Sequence, residues 1–215
     1  MVQRFSLADI RKNNVIDNAN KILTAVTYAM ESYNNFKAFV RELLDYAVRK
    51  IEQNANKMGF ELTEDQLTLH LLGIIDNEFL GIRAYHEVNQ RGHCDITIQL
   101  ADFTWHGEAK KHSSGYSYLF KGYSQLTERY STGTVDSASG GVIIYTKNKL
   151  CSAVMQQYIA YLTKNAPKIH ASREINIQQC DKNPLVFYST HKHSVSNLDY
   201  EVIHYPINFY HEPKE

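Results

Sequence analysis

Long apolar runs are missing from this sequence of 215 residues. No stretch approaches the roughly 20 apolar residues that a membrane-spanning helix needs. Charges at Arg4, Asp9, Arg11 and Lys12 interrupt the first turns of the chain, so no signal peptide is expected there. We therefore expect a soluble protein that does not contact a membrane.

Paired cysteines and an excess of one charge are missing too. Cys94, Cys151 and Cys180 are odd in number and widely spaced, without a Cys-x-x-Cys pair or zinc-type spacing, which indicates a reducing, cytoplasmic setting. Lys and Arg together number 23, as do Asp and Glu. This balance argues against a wholly electrostatic nucleic-acid binder and leaves room only for a local basic surface.

The length is that of one domain, and we expect a single one over residues 1–215, with a helical region (1–62), a core (63–147) and a final helix and strands (148–215). Apolar spacing predicts one long helix over 30–58, ended by Gly59. Thr63 and Gln66 have the form of a capping box that begins a second helix. The remaining predicted elements are strands at 80–88, 95–100 and 103–110, a helix at 116–130, a buried strand at 142–145, a helix at 149–163, and strands near 174–177, 185–190 and 200–210.

The pattern between residues 95 and 110 predicts a β-hairpin with a defined register. If the turn is centred on Ala101-Asp102, Leu100 faces Phe103 and Asp95 falls opposite Glu108. Opposed Cβ atoms lie roughly 4.5 to 5.5 Å apart, so the two carboxylates are close enough to share one divalent cation. Lys110 projects from the same face because it lies two residues after Glu108.

Two acids opposed on a strand pair repel each other, and a bound cation removes that conflict. The competing interpretation is that Asp95, Glu108 and Lys110 form the solvated face of an ordinary hairpin. An Asp and a Glu-x-Lys arise by chance in many proteins. The order of the surrounding elements, rather than the motif alone, favours a metal site.

The segments Gly92-His93-Cys94-Asp95-Ile96-Thr97-Ile98 and Trp105-His106-Gly107-Glu108-Ala109-Lys110 resemble those of PD-(D/E)XK nucleases, and the resemblance extends over about 63–146. No proline precedes Asp95. The resemblance implies an α/β fold with a restriction-endonuclease-like core, in which a mixed central sheet is flanked by helices in the order α-β-β-β-α-β. Extra N-terminal helices and C-terminal strands would surround that core.

The same resemblance implies a metal-dependent nuclease acting on DNA. Asp95, Glu108 and the backbone carbonyl of Ala109 would bind Mg²⁺ or Mn²⁺. Lys110 would orient a water molecule or stabilise charge in the transition state. The expected products carry a 5′-phosphate and a 3′-hydroxyl.

Outlying residues gain roles from the resemblance as well. Gln125 is similar to the glutamine of the Gln-x-x-x-Tyr motif in RecB-like nucleases, although Arg129 stands four residues later and Tyr130 five. Glu64 resembles an upstream acid that assists the metal site, and it is equally well explained as a first-turn glutamate favoured by the helix dipole. Glu87 is an alternative upstream acid.

Other polar residues remain open between a functional and a structural role. Lys121, Gln125 and Arg129 form a row that either approaches phosphates or is simply solvated. Histidines without a neighbouring acid at matching spacing favour ordinary surface or core-edge packing over a metal site: His191, His193, His204 and His211. His106 and His112 flank the proposed site.

The expected partners are a DNA substrate and a helicase, sensor or other subunit of a bacterial defence system, and a homodimer is one option. The alternative function is a catalytically silent nuclease-fold subunit that binds nucleic acid or a partner protein. Whether the substrate is duplex DNA, single-stranded DNA or RNA stays open at this point, as does the choice between endonucleolytic and exonucleolytic cleavage.

Overall fold

The computed structural model describes residues 14–57, 59–86, 88–89, 93–113, 115–131, 133–170 and 172–212. The α-helices in these ranges are α1 (Asn14–Ala29), α2 (Tyr33–Gln53), α3 (Glu64–Ile75), α4 (Tyr116–Gln125) and α5 (Cys151–Asn165). The strands are β1 (Arg83–Tyr85), β2 (Val88–Asn89), β3 (His93–Cys94), β4 (Ile96–Leu100), β5 (Phe103–Lys111), β6 (Ser139–Thr146), β7 (Asn176–Gln179), β8 (Phe187–Lys192) and β9 (Asp199–Asn208).

Seven of these strands form one mixed sheet in the order β1-β4-β5-β6-β9-β8-β7. The pairs β5–β6 and β6–β9 are parallel, and the other pairs are antiparallel. β2 and β3 form a separate two-stranded ribbon. The predicted class, an α/β protein with a mixed sheet flanked by helices, is confirmed, whereas the single-domain assignment stays a prediction.

The central strand β6 is buried along its whole length because helices cover both faces of the sheet. Ile143 and Tyr145 pack in the core beneath α1, α2 and α3. Val142 and Ile144 pack in a second core beneath α4 and α5. A strand buried on both faces is apolar at every position, which explains the unbroken run in the sequence.

The register predicted for the β4–β5 hairpin is confirmed from Leu100–Phe103 to Ile96–Gly107. Its two-residue turn holds Ala101 at φ 51°, a backbone conformation that alanine adopts rarely. The ladder ends at Ile96, so the prediction that Asp95 lies directly opposite Glu108 is wrong in that detail. Asp95 instead occupies a bend, since the preceding residue, Cys94, pairs with β2.

The helix predicted over 30–58 is present as α2, although it is shorter at both ends. The preceding helix α1 was not among the predicted elements, and residues 30–32 separate it from α2. Ser32 caps α2, since its hydroxyl accepts a hydrogen bond from the Asn35 backbone N–H at 3.2 Å. The helix α2 then ends at Gln53, well before Gly59, and residue 58 lies outside the described ranges.

The capping box at the start of α3 is confirmed. The Gln66 N–H donates to Thr63 Oγ1 at 3.2 Å, and the Thr63 N–H donates to Gln66 Oε1 at 2.9 Å. This cap fixes the first turn of α3. It therefore fixes the position from which the side chain of the next residue, the candidate site residue Glu64, extends.

The strand predicted over 80–88 is shorter in the structure. Residues Glu78–Leu80 form a 3₁₀ turn, and only β1 pairs with β4. The alternative upstream acid, Glu87, lies outside the described residues. No helix among the described residues is long and apolar enough to cross a membrane.

Candidate active site

The ammonium group of Lys110 lies at the centre of the candidate site. Its Nζ donates hydrogen bonds to Glu108 Oε2 at 2.8 Å, to the Ala109 carbonyl oxygen at 2.9 Å and to Asp95 Oδ2 at 3.0 Å. Glu64 Oε1 is 3.5 Å from the same nitrogen. Four of the predicted site residues therefore meet at one point around Lys110.

Strand alternation explains why Glu108 and Lys110 share this place. Ala109 between them points into the core beneath α1, α2 and α3, so its two neighbours point to the opposite face, towards α4. Asp95 reaches them from its bend because Oδ2 also accepts a hydrogen bond from the Ala109 backbone N–H at 3.0 Å. This contact ties the bend that precedes β4 to the residues Glu108, Ala109 and Lys110 on β5.

Glu64 approaches from the first turn of α3. Its Oε2 accepts a hydrogen bond from the Lys111 backbone N–H at 2.6 Å, and the hydroxyl of Tyr118 donates to Oε1 at 3.2 Å. Glu64 thus bridges α3, β5 and α4, so its role is more than that of a glutamate at a helix start. Tyr118 was not predicted, and no local sequence signal indicated this contact.

Burial sets the electrostatics of the pair Glu108 and Lys110. Glu108 is 1% exposed, and this desolvation raises the pKa of its carboxyl; Lys110 lowers that pKa in part and Asp95 raises it further. Burial alone would lower the pKa of Lys110, but the carboxylates of Glu108 and Asp95 outweigh it and raise that pKa. Lys110 therefore stays charged.

The helix α4 approaches the site closely at Gly122, which is buried. A Cβ at this position would lie 2.8 Å from Lys110 Cγ, 3.1 Å from Lys110 Cε and 3.5 Å from Glu108 Cβ. Only a glycine leaves room for the lysine stem against the helix. The direction of the Lys110 side chain thus depends on this residue.

We expect Gly122→Ala to lower the free energy of unfolding by about 1–3 kcal/mol, because the new methyl overpacks against Lys110 near its backbone. The matched control is Gly73→Ala in α3, where a Cβ would meet nothing within 4 Å. That substitution should raise stability by roughly 0.5–1 kcal/mol through helix propensity alone. Urea unfolding measures both, and an equal gain in the two variants would contradict the close approach at Gly122.

Gln125 lies at the last position of α4, one turn beyond Gly122. Its Oε1 is buried and has no hydrogen-bond partner, and Gln125 stands outside the hydrogen-bonded group around Lys110. The helix then continues as a π-turn over Leu126–Tyr130, with Ser131 N–H donating to the Leu126 carbonyl at 3.2 Å. Such turns insert one residue and often occur at functional sites.

This π-turn changes the helix face on which Tyr130 lies relative to Gln125. In an uninterrupted α-helix, a residue five places after Gln125 would leave the face that Gln125 presents, whereas the π-turn absorbs the additional residue. Tyr130 is 5% exposed; burial raises the pKa of its hydroxyl, and the nearby carboxylate of Glu108 raises it further. The Tyr130 hydroxyl is therefore within electrostatic range of Glu108, which the sequence spacing alone did not indicate.

Comparison with known proteins finds no matching family, no similar curated protein and no similar solved structure.

The polar residues around the site have different exposures. Lys121 and Arg129 are exposed. His106 is buried, with Nδ1 3.2 Å from Thr97 Oγ1, and burial lowers its pKa, so the ring is neutral. The ring of His112 lies 5.1 Å from that of Tyr116. Neither histidine joins the group around Lys110.

The C-terminal histidines lie in the core beneath α4, not at the surface, with the exception of His211, which is exposed. His170 joins them, and the hydroxyl of Tyr123 lies 2.7 Å from His170 Nε2 and 3.2 Å from His191 Nδ1. His204 Nε2 lies 2.8 Å from Ser189 Oγ. These contacts are those of a packed, hydrogen-bonded core.

Whether the site suits a metal depends on its oxygen atoms. Carboxylate and carbonyl oxygens are the ligands that Mg²⁺ and Mn²⁺ prefer, and Asp95, Glu108 and Ala109 supply them. Glu108 Oε1 is buried without a partner, so an acceptor remains unused. Across the described ranges, however, no three His, Cys, Asp or Glu side chains are already gathered to hold an ion. The donor chemistry fits a divalent cation, while the present arrangement surrounds Lys110.

Proposed function

We propose that this chain is a Mg²⁺- or Mn²⁺-dependent nuclease that hydrolyses phosphodiester bonds in DNA. The observation that carries the proposal is the meeting of Asp95, Glu108 and Lys110, with the Lys110 ammonium 3.0 Å and 2.8 Å from the two carboxylates. Burying a lysine among carboxyl groups costs desolvation free energy. Ionisable groups whose pKa values are perturbed by such burial and by charged neighbours cluster at catalytic sites.

We also propose that the core is restriction-endonuclease-like. In its support, α3, β1, β4, β5, α4 and β6 follow one another in the order α-β-β-β-α-β, apart from the small β2–β3 ribbon. Two antiparallel pairs, β1–β4 and β4–β5, are followed by β6 parallel to β5. The candidate site lies on β5, in the bend before β4 and at the start of α3, within this unit.

The residues take the following roles in this proposal. Asp95, Glu108 and the Ala109 carbonyl would hold the cation, with Glu64 beside them. A bound divalent cation supplies a Lewis acid for a phosphate oxygen and lowers the pKa of a water molecule. Lys110 supplies positive charge for the phosphate in the transition state, and Tyr118 orients Glu64 through its hydrogen bond.

A nuclease-fold subunit that binds nucleic acid or a partner protein without cutting is the second candidate. It is favoured by the absence, within the described residues, of three ligands already gathered for an ion. The two candidates differ in one measurable respect, since only the first produces cleaved strands.

The test is to incubate purified protein with plasmid, single-stranded DNA and RNA in Mg²⁺, Mn²⁺ or EDTA. We expect cleavage of DNA that requires the cation and leaves 5′-phosphate ends. Glu108→Gln should be inactive yet folded, because glutamine occupies nearly the same buried volume and its side-chain oxygen can accept the hydrogen bond from Lys110 Nζ. The matched control is Glu174→Gln at an exposed position. Cleavage that persists in EDTA or in Glu108→Gln would reject the nuclease proposal, and complete absence of cleavage would favour the second candidate.

A further inference from the structure

The hydrogen-bonding capacity of Lys110 is fully used. An ammonium has three N–H donors, and they point to Glu108 Oε2, the Ala109 carbonyl and Asp95 Oδ2 at 2.8–3.0 Å. Lys110 is 6% exposed. In this arrangement no donor of Lys110 remains for a phosphate or a water molecule.

The three acceptors of Lys110 are the same groups that the proposed function gives to the metal. A divalent cation and an ammonium both attract these oxygens, and they repel each other at short range. Since Mg²⁺ demands ligands at about 2.0–2.1 Å in near-octahedral geometry, it cannot share them with Lys110 in its present position. Lys110 and a divalent cation therefore compete for one set of oxygens.

A second observation shows that the group of acids is still short of positive charge. Three carboxyl groups, those of Glu64, Asp95 and Glu108, share the single ammonium. Glu108 Oε1 is left buried without a hydrogen-bond partner, although the residue is only 1% exposed. A buried acceptor without a partner is uncommon and points to a missing cation or donor.

We propose that Lys110 is an internal counter-cation that keeps the site closed to metal until a phosphate group draws its ammonium away. This inference rests on the proposed function, and it assigns Lys110 a regulatory role before any chemistry. A nucleic-acid phosphate offers Lys110 a new anionic acceptor and frees Asp95, Glu108 and the Ala109 carbonyl. Nucleic acid and divalent cation then bind cooperatively, and each strengthens the other by the same factor.

Calorimetry with Mn²⁺ as the probe tests this. We expect Lys110→Met to bind Mn²⁺ about tenfold or more tightly than wild type in the absence of nucleic acid, within the usual range of coupling between sites. Lys147→Met removes an exposed lysine and should bind like wild type. A phosphorothioate oligonucleotide should strengthen Mn²⁺ binding to wild type much more than to Lys110→Met, and an uncharged methylphosphonate oligonucleotide should not.

The outcomes separate this inference from the proposed function. If wild type cleaves DNA with Mg²⁺ but Lys110→Met binds Mn²⁺ no more tightly than wild type, the counter-cation role is wrong and the nuclease stands. If neither protein binds Mn²⁺ and wild type does not cleave, both proposals are wrong.

A measurement on wild type covers the case in which Lys110→Met does not fold. In protein with ¹³C-labelled lysine, the Cε signal of Lys110 is identified as the one lost in Lys110→Arg. We expect this signal to shift when Mg²⁺ and the phosphorothioate oligonucleotide are added together. An unchanged Lys110 signal under conditions where cleavable DNA is cut would overturn the inference.

Discussion

Asp95→Asn is expected to reduce cation-dependent DNA cleavage by roughly 10²–10³-fold or more, the usual effect of removing a group that stabilises charge in a transition state. Asp95 Oδ2 accepts from both the Ala109 N–H and Lys110 Nζ, each at 3.0 Å. The amide of asparagine keeps one acceptor for the Ala109 N–H, so the bend should persist. What is lost is the negative charge that Lys110 and the cation require.

The matched control for this prediction is Asp102→Asn, since Asp102 is exposed in the hairpin turn on the same two strands. It should cleave like wild type. A second readout does not depend on activity: the charge of Asp95 raises the pKa of Glu108, so that pKa should fall in Asp95→Asn. The carboxyl ¹³C signal of Glu108, followed against pH, measures it. Full activity in Asp95→Asn, or an unchanged pKa of Glu108 in that variant, would show that Asp95 takes no part in the site.

The hairpin was predictable because its information is local. Side chains alternate along a strand with period two, so the apolar positions Ile96, Ile98 and Leu100 leave one register that buries them together with Trp105. The position of Asp95 was less predictable, since it depends on where the chain leaves the ladder to pair with β2. The carboxylate still reaches the site, through the backbone N–H of Ala109 rather than by direct opposition to Glu108.

The parts of the site that sequence reasoning missed depend on contacts between distant segments. Tyr118 matters because α3 and α4 meet beside β5, and nothing near Tyr118 in sequence specifies Glu64 as its acceptor. Tyr130 was assigned to the wrong spacing because an α-helix was assumed throughout 116–130. The π-turn that realigns it is a hydrogen-bond pattern, and helix propensities do not distinguish it from an α-turn.

The helical N-terminal region shows the same limit. The apolar pattern that suggested a helix over 30–58 begins at Met30, yet α2 begins at Tyr33 with Ser32 as its N-cap. Ser32 with Asn35 was a local signal for that cap. It was outweighed by periodicity, which reports the buried face of a helix but not its ends.

The buried histidines are expected to make the protein strongly sensitive to acid. Burial lowers the pKa of His170 to about 4, and burial and neighbouring histidines lower those of His191 and His204 to about 3. In the unfolded chain each histidine titrates near about 6.5. The unfolded state therefore takes up protons first as the pH falls below about 6.5, and stability is lost from there down to the folded-state values.

The size of this effect follows from the linkage between protons and folding. Each histidine removes at most about 1.4 kcal/mol per pH unit, so three remove about 4 kcal/mol per unit between pH 6 and 4. Glu108 acts in the opposite direction, because its folded-state pKa is raised above its ordinary 4.5, and it offsets at most one histidine. The net loss, that of about two histidines, is about 6 kcal/mol between pH 6 and 4, which is a large part of the roughly 5–15 kcal/mol by which folded domains are stable.

Urea unfolding at pH 7, 6 and 5 measures this loss, and His204→Gln identifies its source. Glutamine does not titrate, and its side-chain nitrogen replaces Nε2 opposite Ser189 Oγ, which lies 2.8 Å away in the native site. The variant should lose the contribution of one histidine to the pH slope, at most about 1.4 kcal/mol per pH unit, whatever its stability at pH 7. His211→Gln, at an exposed position, should keep the full slope. Equal slopes in all three proteins would mean that His204 does not remain neutral in the folded core, because a histidine that charges as readily inside as outside contributes nothing to the slope.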